Sequence, residues 1–302
     1  MLSESFQKEW IKTRNPVFVS FSGGSDSLAL LLLLCRFAQK NELSVTAVHF
    51  EHGLRGKDSI KDAEFCRNTA ENLHIPFLTR SLDVPKNRKR GESDETAARR
   101  LRLESWKQWM QQEILPHNAW IALAHHADDA RETLLLRLIR GSNVSGLTAL
   151  REKRSFMGLC FVRPLLSCSK DDLIQYLREQ GIFSWCHDAT NEESCYARNY
   201  FRLQIIQDIQ NRFAFAKQGF IRSLEALNLD ADFLEQSAEK EYKNIRHHQQ
   251  LSLQGFKKLH PALQHRVIRL FLSERLQQDY LPDADLLKRI RNTLEDFSSK
   301  TS

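Results

Sequence analysis

Ser22-Gly-Gly-Ser-Asp-Ser27 is a run of hydroxyl, glycine and acidic residues set between two apolar stretches. Two glycines let a backbone take positive φ and close on a ligand, and three serines add hydroxyls. A helix opening at the end of such a turn offers its free N–H groups to an anion. That is phosphate-binding chemistry. The Walker pattern Gly-x4-Gly-Lys-Ser/Thr and its lysine are missing, so the loop is of another type. A plain Gly-Ser turn in an αβ unit is the competing reading.

A second constellation is Ala124-His-His-Ala-Asp-Asp-Ala-Arg-Glu-Thr133. On a helix, Asp129 and Glu132 share a face, and Asp128 and Glu132 are also neighbours. The helix dipole explains part of this acidity. Two histidines beside two aspartates exceed what capping needs. A carboxylate pair there could hold Mg2+ on ATP or grip a substrate ammonium. The His-x3-Asp spacing also admits a transition metal, although no third ligand at a known spacing supports it.

Three stretches admit two readings each. In His49-Phe-Glu-His-Gly-Leu-Arg55 the backbone could hold an adenine while His52 and Arg55 reach phosphates or substrate; a solvated loop fits equally. Arg198 and Arg202, one helical turn apart, could clamp phosphate or could be two surface arginines. Lys86, Arg88, Lys89 and Arg90, then Arg99, Arg100 and Arg102 with Trp106 and Trp109 after them, suit an RNA backbone or a solvated face.

The elements that must position these groups follow from periodicity. Short β-branched or aromatic runs near residues 17–21, 44–50, 76–82, 120–124 and 161–166 read as strands. Helical patterns lie between them at 28–39, 57–73, 93–112 (Ser93 as N-cap) and 128–140. Further helices are expected from the Ser169–Asp172 capping box to Gly181 and over 195–209. Such alternation predicts an α/β fold, a parallel sheet covered on both faces, with ligands beyond the C-terminal ends of its strands. After about residue 213 only helical spacing is evident, at 220–246, 260–276 and 283–294. The expected organisation is therefore residues 1–212 as a catalytic domain and 213–302 as a smaller helical domain.

Composition bounds the rest. The chain of 302 residues is 41% apolar and 27% charged, ordinary for a soluble protein. Its start carries no signal pattern, and Leu28–Cys35 is too short to cross a bilayer, so no membrane role and a cytoplasmic location are expected. Six cysteines include no Cys-x-x-Cys, which argues against a zinc ribbon, an iron–sulfur site or a disulfide scaffold. A net charge of +6 and a pI near 9.0 allow a polyanionic partner.

The glycine loop resembles the pyrophosphate loop of the N-type ATP pyrophosphatases, which include GMP, NAD and argininosuccinate synthetases and several tRNA-modifying enzymes. The ordered set is more specific. That loop, His52-Gly-Leu-Arg55, Glu95-Thr-Ala-Ala-Arg99, His125-His-Ala-Asp-Asp129 through Arg140-Gly141, Arg163-Pro-Leu-Leu166, and Asp188-x-x-Asn191 with Arg198-Asn199 resemble the tRNA(Ile)-lysidine synthases over roughly residues 15–210. The resemblance implies an adenine-nucleotide α-hydrolase-like, Rossmann-like catalytic domain. It also implies ATP with Mg2+, free L-lysine and tRNA(Ile) bearing a CAU anticodon. ATP would adenylate the C2 oxygen of the wobble cytidine, and the lysine ε-amine would then displace AMP.

Carried over residue by residue, the resemblance puts Ser22, Gly23, Gly24, Ser25, Asp26 and Ser27 on the ATP phosphates, with Asp26 as the Mg2+ ligand. His49, His52 and Arg55 would lie at the nucleotide. Asp26, Asp129 and Glu132 would be catalytic, with His125, Arg99, Arg198 and Arg202 on substrate or tRNA. Two departures stand out: Ala130 where the family usually has glutamine, and Glu51 where Asp or Asn is commoner. The rivals are a tRNA thiolase of the same superfamily, disfavoured by the missing Cys-x-x-Cys, a small-molecule ligase, and a non-catalytic RNA- or nucleotide-binding protein. Turnover of ATP that requires both tRNA and lysine separates the first reading from all three.

Overall fold

The computed structural model describes residues 1–54, 56–186, 200–248, 250–276 and 284–296. The chain divides into two compact units, residues 1–142 with 149–221, and residues 143–148 with 222–302.

In the first unit, helix α1 (Glu4–Thr13) leads to β1 (Val17–Ser20), α2 (Ser25–Asn41), β2 (Val45–Glu51), α3 (Lys57–Asn72) and β3 (Phe77–Ser81). A short α4 (Val84–Asn87) and the long α5 (Asp94–Gln111) precede β4 (Trp120–Ala122) and α6 (Ala127–Ile139). After the small α7 (Val144–Leu147), which belongs to the second unit, come β5 (Lys153–Phe156), β6 (Leu159–Val162) and α8 (Lys170–Glu179). A π-helical turn, Phe201–Ile205, runs into α9 (Ile206–Arg212).

The sheet order is β3-β2-β1-β4-β6-β5, parallel except for β5. The apolar runs form strands because both faces are covered. Val17 and Val19 of β1 pack with Trp10, Leu30, Leu34 and Leu173 on one face. Phe18, between them, packs with Val48, Trp106, Trp109 and Ile121 on the other. That is the period-2 alternation of a strand with two cores. Trp10 is fully buried, its ring stacked on Phe37 at 5.5 Å and its Nε1–H donated to the Asn15 carbonyl at 2.8 Å.

Sheet order dictates where a ligand can bind. The chain leaves β1 towards β2 and β3, then returns to place β4 on the other side of β1. The C-terminal ends of β1 and β4 thus flank the point where the winding reverses, the usual ligand crevice of an open α/β sheet. The Ser22–Ser27 loop follows β1 and the His125–Asp129 segment follows β4.

Strand β5 was not expected. Lys153-Arg154-Ser155-Phe156 carries no apolar alternation, because it is an edge strand kept charged on its open side. Met157 (φ 53°) and Gly158 (φ 77°) both adopt the left-handed region, the two-residue turn that matches the twist of a hairpin. The capping box at Ser169 is present: Ser169 Oγ accepts from the Asp172 N–H and Asp172 Oδ2 accepts from the Ser169 N–H. The first part of the helix expected over 195–209 lies outside the described residues.

The second unit includes residues 222–245 of α10 (Ala216–Ile245), then β7 (Arg246–His247), β8 (Gln250–Leu251), α11 (Leu253–Lys258), α12 (Pro261–Arg275) and α13 (Ala284–Asp296). Its core is Ala238, Tyr242, Ile245, Phe256, Val267, Ile268 and Leu287. The β7–β8 hairpin is too short to leave an alternating pattern in the sequence.

Candidate functional site

The loop after β1 folds back on its own hydroxyls. The Ser22 N–H donates to Ser27 Oγ at 3.2 Å, and Ser27 Oγ donates to the Gly24 carbonyl at 3.0 Å. Gly23 (φ 87°) turns the chain, and Gly24, the N-cap of α2, brings no side chain to the helix end. The first N–H groups of α2 are therefore set up to meet an anion.

Gly23 is also a packing necessity. A Cβ built there would stand 2.7 Å from Cys186 Sγ and 3.2 Å from Cys66 Sγ. Cys186 holds the loop from behind, its N–H donating to the Gly23 carbonyl at 3.1 Å. Burial pushes the Cys66 thiol well up, with the neighbouring Cys186 adding to the shift.

Three carboxylates from two elements gather on His126. Its Nε2 lies 3.7 Å from Asp26 Oδ2 and 3.6 Å from Asp129 Oδ2, and its Nδ1 lies 3.4 Å from Asp128 Oδ2. Nδ1 accepts from the Asp128 N–H at 3.3 Å, which leaves the ring proton on Nε2, facing Asp26 and Asp129. Asp129 closes a capping box by accepting from the His126 N–H at 2.9 Å. Burial alone would raise the Asp26 carboxyl, but the His126 hydrogen bond and the Lys170 ammonium outweigh it and hold it at about 2. Asp26 is thus an anion at neutral pH.

Lys170, the first residue of α8, ties these pieces together. Its Nζ donates to Ser25 Oγ at 2.8 Å and to Asp26 Oδ1 at 2.5 Å, and its backbone N–H donates to Asp128 Oδ2 at 2.8 Å. Asp128 also pairs with Arg131, which is 2% exposed and whose Nε and Nη1 have no hydrogen-bond partner among the described residues. Removing one partner of a buried ion pair strands the other charge. Asp128→Ala should therefore cost stability, about 3–5 kcal/mol, read as a lowered denaturant midpoint; an unchanged midpoint would show that Asp128 does not hold Arg131.

The other residues singled out from the sequence fall as follows. His49 is buried in β2 with Nδ1 at 3.0 Å from the Phe21 carbonyl, so it braces the backbone entering the loop. Its burial lowers the imidazole pKa against the pull of that carbonyl and of Asp62 and Glu51. The His52 carbonyl accepts from the Val84 N–H at 2.9 Å. Glu132 is 2% exposed and meets Arg202 Nε at 3.4 Å. His125 Nδ1 accepts from Arg163 Nε at 3.2 Å, and burial lowers the Arg163 guanidinium to about 10, helped by Arg154 and Arg99. Arg99 is exposed on α5. Arg55 and Arg198 lie outside the described residues. Part of the basic stretch is tied up internally, Arg88 with Asp94 at 2.9 Å and Arg100 with Glu92 at 2.8 Å.

Two carboxylates facing one crevice, beside a helix end that favours phosphate, fit a hard cation such as Mg2+. That ion is commonly held by one or two carboxylates with substrate phosphates and water completing the shell. Among the described residues no group of three or more His, Cys, Asp or Glu side chains could hold a metal without such help. Lys170, Cys66 and Cys186 were missed from the sequence. Lys170 carried a local signal as the first residue of a capped helix, but nothing local tied it to the loop.

A family model described as a PP-loop domain matches residues 2–209, and one described as the TilS substrate binding domain matches residues 251–296. A tRNA(Ile)-lysidine synthase of Nitrosomonas europaea is 34% identical over 282 residues, 92% of this chain and 59% of that protein. Another, from Actinobacillus pleuropneumoniae serotype 3, is 30% identical over 299 residues, 97% of this chain and 68% of that protein. The chain spans about three fifths of the length of the Nitrosomonas relative. Among solved structures, the U34-tRNA thiolase NcsA from Methanococcus maripaludis has a TM-score of 0.57 over 74% of this chain and 78% of its own, at 15% identity, a likeness of fold alone. No helix among the described residues is long and apolar enough to cross a membrane.

Proposed function

This chain belongs to the PP-loop family and, within it, to the tRNA(Ile)-lysidine synthase family, and from that premise we propose that it ligates L-lysine to the wobble cytidine of a tRNA(Ile) with a CAU anticodon. The C2 oxygen of the cytidine attacks the α-phosphorus of ATP and pyrophosphate leaves. The lysine ε-ammonium gives up a proton to solvent, the amine attacks C2, and AMP leaves with the oxygen as a second proton passes to solvent. Activation is needed because an amide-like oxygen is a poor leaving group. The base must leave the anticodon stack to reach the crevice.

The observation that carries the reading is the meeting of the glycine loop, Asp26 and Asp129 around His126 at the β1/β4 reversal. Ser22–Ser27 and the first turn of α2 bind the phosphates. Asp26 would hold Mg2+, which would supply positive charge beside the phosphates. Asp129 orients the lysine ammonium, and Glu132, buried against Arg202, would join it only where Arg202 turns to the tRNA; His52 and Arg55 lie at the nucleotide. Arg99, Arg198, Arg202 and His125 meet tRNA. Residues 1–212 would form the catalytic domain, and the helical region from 213 on, within which the TilS substrate binding domain matches, would contact the tRNA. The protein mainly positions reactants and stabilises charge.

The test is pyrophosphate release from ATP with tRNA(Ile) bearing a CAU anticodon, with and without labelled lysine. Release that requires the tRNA, with label ending on it, is the expected result. Turnover indifferent to lysine but dependent on a sulfur donor would make the chain a thiolase. One observation favours that second reading: Cys66 and Cys186 both lie against the ATP loop. The Cys66 thiol is fully buried with its pKa raised, which makes it a poor sulfur nucleophile.

A further inference from the structure

The phosphate loop has no basic residue of its own from Ser22 to Leu34, yet an ammonium stands at its helix end. Lys170 Nζ reaches Ser25 Oγ at 2.8 Å and Asp26 Oδ1 at 2.5 Å, from a position 144 residues further along the chain. A cation beside the first turn of α2 opposes the helix dipole, and it is offset there by the Asp26 carboxylate. The backbone of Lys170 is fixed from two sides. Its N–H donates to Asp128 Oδ2, and the residue before it is the Ser169 N-cap in a closed capping box. Only the flexible stem and its three-donor head are free to reorient, and the side chain keeps 28% of its exposure.

We propose that Lys170 is the lysine of this phosphate loop, supplied from α8, and that it binds the oxygens of the pyrophosphate end of ATP. With the triphosphate bound, the ammonium turns from Asp26 to the phosphate oxygens, which would leave the carboxylate available to a divalent cation. The Lys170–Asp26 salt bridge is thereby exchanged for a contact of the ammonium with phosphate. In the Walker loop the lysine comes from the loop itself; here the sheet crossover delivers it. The proposal rests on the ATP-using reading above and adds to it a residue that discriminates ATP and pyrophosphate from AMP.

The experiment is calorimetric titration of the whole chain with ATP, inorganic pyrophosphate and AMP in the presence of Mg2+, for wild type, Lys170→Ala and Lys170→Arg. Loss of one charge-assisted contact should weaken ATP and pyrophosphate roughly 10- to 100-fold in the alanine variant, with AMP changed by less than about threefold and arginine recovering part of the loss. Equal weakening of ATP and AMP would overturn the proposal, because it would reduce Lys170 to a brace of the fold. Unchanged ATP affinity in Lys170→Ala would overturn it as well. A wild-type chain that binds no ATP would instead overturn the proposed function, and this inference with it.

Discussion

Asp129→Asn should lower incorporation of labelled lysine into tRNA by about 10²- to 10³-fold, the usual cost of one placed electrostatic group, while ATP affinity stays within about threefold. The substitution removes charge and keeps shape. Asp129 Oδ2 accepts from the His126 N–H at 2.9 Å, and an asparagine oxygen can make the same cap, so α6 still starts where it does. What disappears is the negative charge 3.6 Å from His126 Nε2, on the side of the crevice where the proposed ammonium would bind. The loss should fall on the lysine-dependent step and show as a raised KM for lysine. Wild-type incorporation by the asparagine variant would move the lysine site away from Asp129. Asp128→Ala is the useful contrast, because its expected cost is stability through the stranded Arg131.

Gly23→Ala should abolish measurable ATP binding and lower stability by about 2–4 kcal/mol, the sum of a left-handed alanine and an overpacked contact. Both causes meet at one residue. Its φ of 87° is strained for any L side chain, and its Cβ would lie 2.7 Å from Cys186 Sγ, 3.2 Å from Cys186 Cβ and 3.2 Å from Cys66 Sγ. Adding Cys186→Ala to this variant removes the 2.7 Å contact and leaves the φ strain with the 3.2 Å contacts to the residue-186 Cβ and Cys66 Sγ, so the pair should couple by about 1 kcal/mol or more in a double-mutant cycle. Additive effects would mean that the Cys186 sulfur is not what confines the loop. The same measurement bears on function, since the loop backbone must keep its path for the α2 N–H groups to face a phosphate.

Much of this was open to reading from residue order, because much of it is local. A strand, a Gly-rich turn and a helix form one contiguous segment at Val17–Asn41, and their signals are short-range. The same holds for Ser93 and Ser169, each capping its helix by accepting from an N–H three residues on. It holds too for the carboxylates of α6, which share a face by helical spacing alone. The edge strand β5 was hidden because its residues answer to solvent and not to a core. The fate of the basic stretch was hidden as well, since its residue types cannot tell that Arg100 turns to Glu92 and Glu104.

Sequence alone determined the phosphate loop and the acidic and histidine cluster after β4, since each is written in residue types at fixed short spacings. Only the tertiary structure decided which of those residues meet. The order β3-β2-β1-β4-β6-β5 sets α6 and α8 beside the loop after β1, and so brings Lys170 to Asp26 and His126 between Asp26 and Asp129. It also places Cys66 and Cys186 against Gly23. Contacts between residues as distant in sequence as Asp26 and Lys170 depend on which side of β1 the chain returns to, and no local spacing encodes that choice.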